Sequence, residues 1–67
     1  MKVFSKRLID LRNEKNISQR DLSKDCNISQ SAIAKWELGK STPNGEYIVI
    51  LAKYFGVSSD YLLGLED

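Results

Sequence analysis

Residues 19–36 read Q-R-D-L-S-K-D-C-N-I-S-Q-S-A-I-A-K-W, two short helical patterns joined at Asn27, with apolar residues at Leu22, Cys26, Ile28, Ile33 and Trp36. That spacing fits two helices that share one core while the second turns a polar face outward. Ser18 stands before the first helix as an N-cap, with Asp21 three residues on as a capping-box partner favoured by the helix dipole. Asn27 falls where the tight turn needs a left-handed residue, a conformation asparagine tolerates best after glycine. Ser29 caps the second helix, which runs to about Leu38 before Gly39 stops it.

Helical spacing continues on both sides, and no strand alternation persists, so the class is all-α. Upstream, Phe4, Leu8 and Leu11 recur at i, i+4 and i+7 and predict a helix from about Val3 to Lys15, broken at Asn16. Downstream, Thr42-Pro43 reads as N-cap and first helical residue of a helix reaching Phe55, with Ile48, Leu51, Ala52 and Phe55 inward. Gly56 ends it, Ser58 caps a short last helix over 59–63, and Gly64 closes that one. Five short helices joined by turns form a single domain over 1–67, with no repeat, low-complexity segment or linker.

Sixty-seven residues can bury only about 60% of the surface the unfolded chain exposes, so the core must be economical. No apolar run approaches a membrane span, and the early Lys6, Arg7 and Asp10 exclude a signal peptide, which points to a cytoplasmic location. Cys26 is the one cysteine and histidine is absent, so neither a disulfide nor a conventional metal site is available. Cys26 reads as a small buried hydrophobe. No cofactor, catalytic residue or small-molecule ligand is expected, because no His, Cys pair or carboxylate pair on one face offers a general base.

The net charge of +1 hides an asymmetry: residues 1–43 hold nine cations and five acids, whereas 44–67 hold one cation and four acids. A polyanion would approach the first two thirds of the chain. The competing reading is a set of scattered solvated charges.

Rotating the second central helix in steps of about 100° puts Ile33, Trp36 and Glu37 on one side. Ser31, Ala34, Lys35 and Leu38 fall on the other, with Gln30 at the edge. This outer face is short and largely uncharged, as major-groove reading requires; Gln30 suits adenine and Lys35 suits guanine. An ordinary solvated face would be richer in Glu and Lys. Ser23, small and in mid-helix, fits a close crossing of the two helices.

Nearly the whole chain resembles the phage repressor and Cro type of helix-turn-helix, also called the Xre family. The matching stretches are R-L-I-D-L-R-N-E-K-N-I-S-Q, L-S-K-D-C-N-I-S-Q-S-A-I-A-K-W-E-L-G-K, T-P and L-A-K-Y-F-G-V-S-S-D-Y-L-L-G. The resemblance implies a compact five-helix, lambda-repressor-like domain that binds a palindromic double-stranded DNA operator as a homodimer and regulates transcription, as a repressor. Residue by residue, it implies base contacts from Gln30, Ser31 and Lys35 and backbone contacts from Gln19, Ser29, Lys40 and Ser41. It pairs Arg12 with Glu37 as an ion pair bridging the first and third helices. Asn27 and Ser23 replace the usual glycine and alanine, and Gly45 stands where a leucine is usual, removing a core contact. Near-neutral net charge supports a second expectation, a protein-interaction module such as an antitoxin or adaptor on the same fold.

Overall fold

A computed structural model describes residues 2–67. The stripe Phe4, Leu8 and Leu11 lies on α1 (Lys2–Glu14) and is buried, so the first helix turns one apolar face to the core as its spacing dictates. α2 (Gln19–Cys26) adds Leu22, the turn adds Ile28, and α3 (Gln30–Glu37) adds Ile33 and Trp36. α4 (Gly45–Phe55) contributes Ile48, Leu51 and Ala52, and α5 (Ser59–Leu63) contributes Leu62. One cluster therefore draws on all five helices. Among the described residues there is no strand.

Trp36 is the hub of this cluster, with the Phe4 ring edge-on at 6.4 Å and the Tyr47 ring tilted at 5.6 Å. Such aromatic pairs add about 0.5–1.5 kcal/mol beyond the area they bury. α1 packs on α3 and α5, and α4 packs on α5 and α2, which leaves one side of α3 uncovered. Phe55, expected inward, is half-buried at the rim, with Tyr54 edge-on at 5.0 Å. Cys26 is likewise half-buried against the core, and burial raises its thiol pKa.

The turns follow the local chemistry. Ser18 accepts the Asp21 N–H while Asp21 accepts the Ser18 N–H, both at 3.0 Å, completing a capping box. Asn27 ends α2 in the left-handed region at φ 55°, and Asn16 adopts φ 56° between α1 and α2. Ser23 is half-buried, and its hydroxyl donates to the Ile28 carbonyl across the turn. Gly39 follows α3 at φ 73°.

The start of α4 corrects the sequence reading. Asn44, not Thr42, is the N-cap, its Oδ1 accepting the Tyr47 N–H at 3.1 Å, and the helix begins at Gly45 rather than Pro43. A helix starting at Pro43 would carry Gly45 as its third residue, where glycine costs backbone entropy; starting after Asn44 places it at the first position, next to a capping side chain. At Gly45 a Cβ would meet nothing within 4 Å, so this first position of α4 is open at that atom.

Candidate nucleic-acid interface

Ser29 sets the direction of α3 by accepting the Ala32 N–H at 3.1 Å, and Ile33 and Trp36 fix its rotation by entering the core. The remaining face carries Gln30, Ser31, Lys35 and Leu38 exposed, with Ala34 half-buried between them. Gln30 and Ser31 offer side-chain donors and acceptors there and Lys35 offers donors, while Ala34 and Leu38 are apolar. No acid lies among them.

Glu37, the one acid between residues 30 and 41, is turned inward. Arg12 grips it bidentately, Nε to Oε2 at 2.7 Å and Nη2 to Oε1 at 3.0 Å. Both side chains are largely buried, at 15% and 7% exposure. The hydrogen bond to Glu37 raises the Arg12 pKa further above its ordinary value, so the guanidinium stays charged. Its Nη1 donates to the Ile17 carbonyl at 2.9 Å, tying α1 to the turn before α2 as well.

Gln19 joins the same network. Its Nε2 donates to Glu37 Oε1 at 2.9 Å, so the first residue of α2 is tethered to the end of α3. One amide N–H is thereby used and the other is left for an external acceptor. This bond was invisible in the sequence, because 18 residues separate the partners and only the crossing of α2 over α3 unites them.

Beyond α3 the chain folds back, with the Lys40 N–H bonded to the Lys35 carbonyl at 2.9 Å. Lys40 and Ser41 are exposed at this end of α3, while Gln19 and Ser29 lie at the starts of α2 and α3. Helix N-termini present unpaired N–H groups and a partial positive charge, a setting suited to phosphate. The structure thus unites Gln19 with Arg12 and Glu37 through hydrogen bonds, and puts Gln30, Ser31 and Lys35 on one exposed helix face.

Sequence reasoning missed a second long-range arginine. The Arg7 guanidinium lies over the Tyr61 ring at 4.2 Å from its centroid and donates to the Glu66 carbonyl at 2.7 Å and to the Tyr61 carbonyl. It fastens α5 and the following residues onto α1. Nothing in the local pattern distinguishes Arg7 from a solvated lysine. Among the described residues no cluster of three metal-ligating side chains occurs, and no helix is long and apolar enough to cross a membrane.

Five helices with α2 and α3 crossing around a capped turn, and a polar α3 face left open, define a lambda-repressor-like helix-turn-helix domain. The chain belongs to the helix-turn-helix family, whose model matches residues 8–62. It is 41% identical over 64 residues to the HTH-type transcriptional activator BcrR of Enterococcus faecalis, covering 96% of this chain and 31% of that protein. It is 36% identical over 61 residues to repressor protein C2 of Salmonella phage P22, covering 91% of this chain and 28% of that one. The uncharacterized HTH-type transcriptional regulator YobD of Bacillus subtilis is 32% identical over 65 residues, 97% of this chain and 58% of its own length. The chain thus spans from under a third to somewhat over half of these relatives.

Proposed function

We propose that this chain is a sequence-specific, duplex-DNA-binding regulator of transcription that inserts α3 into the major groove. The observation that carries it is the open α3 face: Gln30, Ser31 and Lys35 are exposed together while the neighbouring acid, Glu37, is withdrawn onto Arg12. Gln30, Ser31 and Lys35 meet base edges; Gln19, Ser29, Lys40 and Ser41 meet the DNA backbone. The relatives' names support regulation in both senses, one an activator and one a repressor. We assign repression here, the outcome that occupancy of an operator gives by occlusion alone. The role is binding and not catalysis, and a cytoplasmic location goes with it.

Residues 1–67 act as one DNA-binding unit, and two copies bind a palindromic operator. Leu65 is 73% exposed beside half-buried Leu63 at the end of α5, apolar surface that a second copy would cover. Their recognition helices would then lie about 34 Å apart, one turn of duplex. Sedimentation equilibrium with and without a palindromic duplex checks this, and a monomer on a single half-site would refute it.

Selection of binding sites from random duplex DNA tests the whole reading, with a palindromic consensus as the expected result. Retention on that duplex should fall steeply with salt. Salt-insensitive capture of a protein with no DNA retention would instead identify an interaction module.

A further inference from the structure

Leu38 is the one large apolar side chain on the open face of α3, and at 69% exposure it is left almost wholly to solvent. It is the C-cap of α3, one turn beyond Ala34 and two beyond Ser31, so Ala34 and Leu38 form a small apolar strip along the exposed stripe. Lys35 lies three residues before it and Lys40 two residues after, both exposed. Glu37, the adjacent acid, is turned away to Arg12. A lone exposed leucine is ordinary on a protein surface. An apolar strip on a recognition face between two cations is matched by an anionic surface that also carries an apolar group.

In the major groove that group is the 5-methyl of thymine, which stands among phosphates and is the apolar feature of that edge. Resting on the DNA-binding reading above, we infer that Leu38 is a specificity-determining residue that packs on a thymine 5-methyl group in each half-site. Its place along α3 gives the register. Leu38 lies seven positions beyond Ser31, about 10 Å farther along the helix at 1.5 Å per residue. The thymine therefore lies beyond the base that Ser31 reads, toward the end of the groove that Lys40 flanks.

The experiment starts from the duplex that the full chain selects, replacing each thymine singly by uracil, which removes the methyl group alone. Burying one methyl group corresponds to about a fourfold change in affinity. One thymine per half-site should show that loss with the unaltered chain. Leu38→Ala should bind the thymine and uracil duplexes equally at that position, and Leu38→Met should restore the difference. Because the side chain is exposed, both variants should unfold at the parent temperature. Equal thymine sensitivity in the parent and Leu38→Ala, or none in the parent, overturns the inference while leaving DNA binding intact. Unchanged affinity of Leu38→Ala for the selected duplex would overturn it as well. Failure to select any duplex would overturn the DNA-binding reading itself.

Discussion

Arg12, Glu37 and Gln19 show how one buried charge pair can serve a surface. Removing one partner of such a pair strands the other charge, so Glu37→Ala should lower unfolding free energy in urea by about 3–5 kcal/mol. Replacing both, as Arg12→Met with Glu37→Met, should cost far less, since apolar groups of similar volume need no desolvation offset. The double variant also frees Gln19 from its tether. Its affinity for DNA should fall although its stability falls little, a separation that binding and urea titrations on the same sample would reveal. Tyr54 supplies a prediction of a different kind. Its hydroxyl donates to Asp25 Oδ2 at 2.6 Å, and that bond, with burial adding to it, pushes its pKa up to about 12. A group with a raised folded-state pKa stabilises the fold below its ordinary value near 10 and ceases to do so as pH climbs through 12. An absorbance titration should show one tyrosinate forming near pH 12, absent in Tyr54→Phe. Asp21 behaves oppositely: hydrogen bonds from Ser18 lower its pKa, so the capping box supports α2 above the usual carboxylate value and weakens in acid below it.

Among the elements, the ends carry more information than the middles. Asn44→Ala should destabilise by about 1 kcal/mol, the usual cost of a lost N-cap, while Thr42→Ala should leave thermal unfolding unchanged. The reverse order would restore the earlier start at Thr42-Pro43. Two glycines provide an internal control. Gly56 and Gly64 both occupy the left-handed region, at φ 70° and 80°, but a Cβ at Gly56 meets nothing within 4 Å. At Gly64 it would stand 2.7 Å from Val3 Cγ1. Gly56→Ala should therefore cost about 1–2 kcal/mol from backbone strain, and Gly64→Ala clearly more, because α5 must also move away from α1. Differential scanning calorimetry of the two variants gives the comparison directly.

For the whole molecule, the charge asymmetry and the open face of α3 act together. Nine of ten cations lie in residues 1–43, the part that contains α1, α2 and α3. Binding to duplex DNA should release counterions, and Lys40→Ala should reduce the salt slope by about 1 per protomer while weakening all sequences alike. Gln19→Ala should also weaken all sequences alike. Lys35→Ala should instead relax discrimination at one base pair by about 1–3 kcal/mol. Competition binding across single-base variants separates these classes, and a uniform loss for Lys35→Ala would remove it from the base-reading set.

The sequence alone determined the helices, the capped turn at Asn27 and the rotation of α3, because periodicity and capping are local and one apolar face must be buried. Ile33 and Trp36 could go nowhere but inward, which forced Ser31, Lys35 and Leu38 outward. Caps were legible only where one acceptor stood at the right distance; around Thr42, Pro43 and Asn44 two competed, and the position of Gly45 settled the choice. The tertiary structure decided what depends on distant segments meeting: the Gln19 amide on Glu37, Arg7 clasping Tyr61 and Glu66, Tyr54 on Asp25, and Val3 against Gly64. Each joins residues far apart in the chain, where no spacing rule applies, and each forms only after core packing has fixed how the helices cross.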